Sequence, residues 1–252
     1  MFLPDAIVRS RRVLTPRGVR PAAIHIRHGK IIGVVAFDDA PSGCAVDDLG
    51  DAAILPGTSA LDVDRWGTPA PSLAESGLRV VMPALSRSGG SLLVEASAAD
   101  AEAIALLSRL SREYRTATHL VRVSSSETLT PLFRARQEGA PITASASARS
   151  LCVVSTNKDR EHREFLWAAL ANGLIQFVAA DAGCPLDLAA IWKEASARGY
   201  SMDQLASWTA SMPAHVMGFG RHGKIDVGFA ADLVALNDEA VVRVYTRGER
   251  IS

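Results

Sequence analysis

The sequence predicts an α/β protein with an incomplete, barrel-like parallel sheet of about five strands and a small β-sandwich. Between residues 55 and 218, short apolar runs alternate with segments of helical periodicity, a pattern typical of βα units and a parallel sheet. Residues 1–54 and 219–252 hold short strand-like runs separated by turns rich in Gly and Pro. We therefore expect two domains, a sandwich built from both terminal segments and an α/β domain at 55–218.

The elements of the α/β domain follow one another along the chain. A strand begins at Ile54, and further strands are predicted at 91–95, 118–123, 142–145 and 174–181. Helices are predicted at 73–85, 98–114, 126–136, 161–171, 186–197 and 202–211. The helix at 98–114 has the clearest periodicity, because Ala103, Leu107 and Leu110 share one face.

Composition argues against several functional classes. The chain has 252 residues and balances 27 Lys and Arg against 27 Asp and Glu, so no global charge draws it to nucleic acid or to an anionic membrane. No apolar run approaches the length of a membrane span, and the N-terminus lacks the pattern of a signal peptide. Cys44, Cys152 and Cys184 are widely spaced, which favours a reducing compartment. We expect a cytoplasmic protein without a nucleic-acid or membrane partner.

One stretch, residues 53–64, joins the two predicted domains. It begins as an apolar run, breaks at Pro56-Gly57 and ends in Asp62-Val63-Asp64. Alternate residues of a strand point to the same side, so Asp62 and Asp64 project together if this segment is extended. Two adjacent carboxylates repel each other unless a cation or an arginine lies between them.

This stretch and a second one near the C-terminus resemble the cyclic amidohydrolases, the group that holds allantoinase, dihydroorotase and dihydropyrimidinase. In that group a Leu-Pro-Gly turn leads into the first barrel strand. Residues 223–236 resemble the group's G-x-I-x-x-G-x-x-A-D-L-V signature, which belongs to strands that rejoin the N-terminal sandwich. The strands beginning at Ser91, Thr118, Ile142 and Leu174 resemble barrel strands five to eight. The resemblance is nearest to allantoinase and dihydroorotase, with internal deletions.

The resemblance also implies where metal ligands would stand. The group binds two metals through a His-x-His on strand one, a His on each of strands six and seven, and an Asp on strand eight that is also the general base. Here the first pair reads Asp62 and Asp64, and the next two positions read Arg122 and Arg149. Asp181 retains the eighth-strand position. Arginine does not ligate metals, so we expect no binuclear metal site and no cofactor.

Charge balance suggests what replaces the metals. Nothing matches barrel strands two to four or the group's metal-bridging lysine. If the remaining strands keep their places, four carboxylates meet two arginines at one end of the sheet, and guanidinium groups suit that role. Alanine at Arg122 or Arg149 should then destabilise the fold. The alternative is that these are surface residues of a rearranged fragment. The candidate charge network comprises Asp62, Asp64, Glu95, Arg122, Arg149 and Asp181.

Three functional interpretations follow. The first is an amidohydrolase homologue without hydrolase activity, a pseudoenzyme, subunit or scaffold. The second is a divergent enzyme acting on a cyclic amide or ureide C–N bond with Asp181, the Asp62/Asp64 pair, Arg122 and Arg149. The third is a carboxylate site for Mg or Mn. Five parallel strands do not close an ordinary barrel, so we expect a homo-oligomer or a complex with a full-length relative that covers the open edges.

Overall fold

The computed structural model describes residues 3–57, 66–237 and 240–251. The chain divides into two compact units, residues 1–61 with 188–252 and residues 62–187. In this division residues 55–57 and 188–218 group with the terminal segments, and the predicted domain boundaries stay a prediction. None of the helices in the described part of the chain has the length and apolar character needed to cross a bilayer.

The strands of the described residues are numbered along the chain. They are β1 (Ala6–Thr15), β2 (Gly18–Arg27), β3 (Lys30–Val35), β4 (Ala45–Asp48), β5 (Ala53–Pro56), β6 (Thr68–Pro69), β7 (Ser91–Glu95), β8 (Ala117–Val123), β9 (Ile142–Ser147), β10 (Phe177–Ala179), β11 (Leu233–Leu236), β12 (Val241–Thr246) and β13 (Glu249–Arg250).

The helices are numbered in the same way. They are α1 (Glu75–Ser88), α2 (Ala101–Tyr114), α3 (Leu129–Gln137), α4 (Ala148–Cys152), α5 (Asn157–Ala171), α6 (Leu188–Ala197), α7 (Met202–Ala206) and α8 (Met212–Val216), with short 3₁₀ turns at Ala96–Ala98 and Ser126–Thr128. Helix α5 begins four residues before its predicted start because Thr156 and Asp159 form a reciprocal capping box.

The terminal segments combine in one sheet of order β13-β12-β11-β5-β1-β2-β3, with β4 also paired to β1. Strand β5 pairs antiparallel with β11, so the C-terminal segment does rejoin the N-terminal one. The predicted sandwich is not confirmed. The ten-residue β1 pairs with β2 along one side and with β4 and then β5 along the other, which joins all these strands by hydrogen bonds.

The core of this sheet is apolar and includes Ile24, Ile54 and Leu233, each fully buried. Tyr245 on β12 is also buried, and its hydroxyl donates to Asp47 Oδ2 at 2.5 Å. Burial and this contact with a carboxylate raise the pKa of Tyr245. The hydrogen bond ties the C-terminal strands to β4, at a separation of 198 residues in sequence.

The second unit contains the parallel sheet, of order β10-β9-β8-β7-β6. The number of strands, five, agrees with the predicted incomplete barrel, but one of the five is not a strand that was predicted. The edge strand β6 has two residues and was not predicted, whereas the strand that begins near Ile54 lies in the terminal sheet as β5. Its predicted continuation through Asp62 and Asp64 falls outside the described residues.

The predicted helix at 202–211 is interrupted. After α7 the backbone takes one π-helical turn at Ser207–Ser211 and then continues as α8. A π turn holds one extra residue, which shifts the following residues around the helix axis and breaks simple periodicity. Gly223 lies against this turn, where an added Cβ would stand 2.6 Å from the Ala210 carbonyl oxygen.

Candidate functional site

The parallel strands end at a common edge of the sheet, where loops carry the candidate charged residues. The carboxyl ends of parallel strands lie at the same edge, which is where α/β sheets bind ligands. Glu95 ends β7, Arg122 precedes the last residue of β8, Arg149 follows β9 by two residues and Asp181 follows β10 by two. The topology therefore brings four of the six candidate residues to one end of the sheet.

A β-bulge sets the backbone of Arg122. The β8–β9 register runs from Leu120 opposite Ala144 to Val123 opposite Ala146, so β8 carries one extra residue. Arg122 absorbs it with φ of 59°, in the left-handed region that a side chain with a Cβ seldom adopts. Its backbone N–H donates to Ser145 Oγ across the bulge at 3.3 Å.

The Arg122 guanidinium pairs with the Glu95 carboxylate on the neighbouring strand. One guanidinium nitrogen donates to Glu95 Oε1, and another donates to the Ala180 carbonyl oxygen at 3.5 Å. The Arg122 side chain is 12% exposed and that of Glu95 is 49% exposed, so the pair lies half in solvent. Its attraction is therefore moderate, because solvent screens the carboxylate side.

Asp181 accepts hydrogen bonds from the N-terminus of the short helix α4. Its Oδ1 accepts a hydrogen bond from Ser147 Oγ at 2.6 Å, and its Oδ2 accepts one from the Arg149 backbone N–H at 2.8 Å. Ser147 is also the N-cap of α4 and accepts from the Ser150 N–H. A carboxylate at a helix N-terminus is stabilised by the free N–H groups there. Both oxygens of Asp181 are thus engaged in holding the turn after β9.

The expected charge network is present only in part. Glu95 and Arg122 form an ion pair. The Arg122 guanidinium also donates to the carbonyl oxygen of Ala180, the residue that precedes Asp181. Arg149 is not paired among the described residues: its side chain is exposed and forms no ion pair there, and its backbone N–H donates to Asp181, so the expected pairing of its guanidinium stays a prediction. Asp62 and Asp64 lie outside the described residues.

A buried histidine beneath this edge was missed by sequence reasoning. His119 on β8 is fully buried, with Nδ1 2.7 Å from Thr143 Oγ1 and Nε2 3.1 Å from Ser145 Oγ on β9. Its ring stacks on Phe177 of β10 at a centroid distance of 5.0 Å and meets the edge of Trp66. Burial, with a smaller contribution from the Arg136 charge, lowers the pKa of His119 to about 3.

The signal for this cluster was the polar alternation in β9. Thr143, Ser145 and Ser147 occupy every second position of a strand whose other residues are mostly alanine. Three hydroxyls on one face of a buried strand require polar partners there. His119 and Asp181 are the partners of those hydroxyls.

Two cavities adjoin the carboxyl ends of β7 and β8. One, of about 350 Å³, is lined by Glu95 together with apolar residues such as Leu93 and Val121. The other, of about 510 Å³, lies between the loops after β7 and β8 and includes Asp100 and Ser125. Both volumes fall in the range of small-molecule sites.

The described residues at this edge do not fit a metal centre. Within 3–57, 66–237 and 240–251, no group of three or more His, Cys, Asp or Glu side chains is arranged to hold a metal ion. Arg122 and Arg149 stand at two of the ligand positions that the resemblance implies. A guanidinium group has no lone pair to donate to a metal ion. What this edge offers chemically is a guanidinium–carboxylate pair, an exposed guanidinium and a carboxylate bound to backbone.

Comparison with known proteins identifies the family. Residues 71–251 match the model of the amidohydrolase family, and the chain belongs to that family. Within it, the chain is close to allantoinase. It is 23% identical to an allantoinase from Streptomyces avermitilis, covering 92% of this chain and 86% of the relative. It is 26% identical to a probable allantoinase of Dictyostelium discoideum, over 54% of this chain and 35% of the relative.

The alignment with the Streptomyces protein shows internal deletions. It extends over 382 residues, whereas this chain has 252, so the relative holds segments with no counterpart here. Solved structures agree on the fold: a D-hydantoinase superposes with a TM-score of 0.79 at 14% identity, covering 98% of this chain and 95% of the other. The dihydropyrimidinase of Brevibacillus agri gives 0.74 at 15% identity, covering 98% and 94%.

The two arginines should differ in their contribution to stability. We expect Arg122→Ala to lower the free energy of unfolding by about 1–3 kcal/mol, because it removes charge-assisted hydrogen bonds from a mostly buried side chain. The matched variant Arg149→Ala should stay within about 0.5 kcal/mol of the wild type, as surface substitutions do. Urea denaturation measures both. Equal losses for the two variants would contradict this assignment.

The buried His119 should make folding sensitive to acid. In the unfolded chain the imidazole takes up a proton below pH 6.5, whereas in the folded protein it stays neutral down to about pH 3. The stability it contributes is therefore complete above pH 6.5 and is lost as pH falls through that window, by about 1.4 kcal/mol per pH unit.

The measurement is the pH dependence of the free energy of unfolding between pH 7 and pH 4. His119→Gln, which retains polar partners for the hydroxyls, should show a smaller slope than the wild type. His215→Gln, at an exposed histidine, is the matched control and should keep the wild-type slope. Equal slopes for the wild type and His119→Gln would count against a neutral buried His119.

Proposed function

We propose that this chain is an amidohydrolase-family protein that has lost the binuclear metal site and acts without hydrolysis, as a subunit or scaffold related to allantoinase. One observation carries the proposal: at the sixth-strand ligand position stands Arg122, which is ion-paired with Glu95 on the adjacent strand. The guanidinium supplies positive charge beside a carboxylate without a metal.

Asp181 supports the same proposal. The resemblance gives this position two roles, metal ligand and general base. Here both carboxylate oxygens accept hydrogen bonds, from Ser147 Oγ and from the Arg149 N–H. A carboxylate engaged in this way stabilises a helix terminus and has fewer free lone pairs for a metal or a substrate. Without a metal, an amide hydrolase also forgoes the activation of water and the polarisation of the carbonyl.

The test combines metal analysis with activity. The purified chain is assayed for zinc, magnesium and manganese, and for hydrolysis of allantoin and dihydroorotate, beside the Streptomyces avermitilis allantoinase as positive control. We expect no stoichiometric metal and no turnover from this chain under conditions in which the control is active. Stoichiometric zinc together with turnover would overturn the proposal. Magnesium or manganese at stoichiometry would instead favour a carboxylate site.

The second candidate function is a divergent enzyme acting on a cyclic amide or ureide C–N bond. The observation that favours it is the exposed Arg149 side chain, which has no ion pair within the described ranges and whose backbone adjoins Asp181. An exposed guanidinium suits a ring carbonyl, and a carboxylate in the same turn suits the ring N–H. In this case metal-free turnover would be measurable and would be abolished by Asp181→Asn, and by Arg149→Ala without loss of stability.

A second copy of this chain, or a full-length relative, is the proposed partner. In the described part of the parallel sheet, the edges are β6 and β10, of two and three residues. Short edges limit strand addition, so apolar surface is the stronger support. Phe133 and Phe165 in the same unit are each about half exposed. Large apolar side chains in contact with water favour association.

Light scattering on the purified chain measures its association state. We expect a dimer at micromolar concentration, since two-fold dimers are the commonest homo-oligomers. Phe165→Asp should reduce the dimer fraction if that phenylalanine lies in the interface. Ala171→Asp, at an exposed position in the last turn of the same helix, adds the same charge and is the control. A stable monomer that also fails to bind the full-length relative would overturn the partner proposal.

A further inference from the structure

A third cavity, remote in sequence from the parallel-sheet edge, lies within the unit formed by residues 1–61 and 188–252. It has a volume of about 290 Å³ and lies between the β1–β2 turn, helix α7 with its π turn, and the loop 223–229. It shares no residue with the candidate site. Its size suits a molecule somewhat smaller than a typical drug-sized ligand.

The walls of this cavity are fixed before any ligand arrives. The π turn at Ser207–Ser211 is a geometry that occurs often at functional sites. Gly223 packs against that turn so closely that only glycine fits. The loop beyond it is held to β3 by two backbone hydrogen bonds, from the Ile31 N–H to the Phe229 carbonyl at 2.9 Å and from the Gly228 N–H to the Ile31 carbonyl at 2.8 Å. When the residues of a site are already ordered, less conformational entropy is lost when a ligand binds.

The polar side chains of the cavity have unused bonding capacity. Ser207 and Ser211 are half-buried, and neither hydroxyl has a hydrogen-bond partner in the described ranges. Lys224 and Asp203 line the same cavity, and neither forms an ion pair within those ranges. The Asp226 carboxylate accepts the N–H of its own neighbour Val227 through Oδ1 and forms no ion pair within those ranges, so the lining holds two carboxylates and one ammonium group. Opposite charges that share a cavity but do not pair with each other leave room for a ligand between them.

Apart from Thr15, whose hydroxyl donates to the Gly18 carbonyl oxygen, the rest of the lining is apolar, and this apolar surface indicates an apolar part of the ligand. Leu14, Pro16 and Pro56 come from the terminal sheet, and Phe229 from the loop. Such a surface takes an aliphatic group, whereas an ammonium and a carboxylate on the same molecule match Asp203 and Lys224. A ligand that carries only a carboxylate leaves the carboxylates of the cavity without a cationic partner, and one that carries only an ammonium leaves Lys224 without an anionic partner.

We infer that this cavity binds a small zwitterion with an aliphatic body, of the size and charge pattern of a free aliphatic amino acid. Its carboxylate pairs with Lys224, its ammonium with Asp203, and the two serine hydroxyls complete the polar contacts. This site is independent of the proposed loss of hydrolysis, because none of its residues belongs to the parallel-sheet unit.

Three probes separate charge pattern from apolar contact. L-Leucine carries both charges, 4-methylpentanoate carries only the carboxylate and 3-methylbutylamine only the ammonium, and the aliphatic parts are similar. Calorimetric titration of the full chain, with saturation-transfer NMR for weak binding, should show that leucine binds more tightly than either analogue. Absence of leucine binding at millimolar concentration, or equal binding of all three probes, would overturn the inference.

Variants assign the binding to this cavity. Lys224→Met and Asp203→Asn should each weaken leucine binding about fivefold, the upper end for an exposed ion pair. Lys193→Met, an exposed lysine of helix α6 that does not line the cavity, is the charge control and should bind as the wild type does. Circular dichroism melting verifies that each variant is folded. Leucine binding that survives both cavity variants unchanged would overturn the assignment.

Discussion

The parallel-sheet unit depends on a neutral imidazole enclosed by its strands. His119 belongs to β8, contacts two hydroxyls of β9 and stacks on Phe177 of β10, so one side chain joins three consecutive strands. A charged ring at this position would have no carboxylate among its contacts and would lose its hydration. The two hydroxyls satisfy the neutral ring, and Ser145 then accepts the Arg122 N–H. The buried polar cluster thus supports the strand end above it, where the charged residues lie.

Charged side chains at that strand end act mainly on their own chain. Glu95 and Arg122 neutralise each other across β7 and β8, and Asp181 holds the first turn of α4. A carboxylate and a guanidinium can share charge without the fixed coordination geometry that a metal demands. The family fold persists with this arrangement, since the parallel strands are joined by backbone hydrogen bonds and most of their residues are buried.

Much of the fold could be predicted from sequence, because apolar runs and helical periodicity reflect burial directly. The strands at 91–95, 118–123 and 142–145 were placed to within two residues, and the return of the C-terminus to the N-terminal strands followed from the motif at 223–236. The exceptions have physical causes. The short edge strand β6 has too few residues to show alternation, and the π turn at Ser207–Ser211 disrupts the helical period.

The candidate site was less predictable because it depends on register and contact. The sequence located Arg122 and Glu95 at neighbouring strand ends, and they are paired. It did not indicate that Arg149 would be exposed, since a strand end shows position but not the direction of a side chain in the following turn. His119 was overlooked because a single histidine in an apolar strand has no periodic signal. Its partners are 24 and 26 residues away.

The bulge at Arg122 has a consequence for any substitution at this strand end. Residue 122 adopts φ of 59°, and the register of β8 slips by one residue just before it. In a regular strand the side chain leaves the backbone in a direction fixed by the pleat, whereas a left-handed residue sends it elsewhere. A histidine grafted at this position would inherit the altered direction. Any side chain placed at residue 122 therefore has to suit the direction that the bulge sets, and the direction expected from the pleat of a regular strand does not apply there.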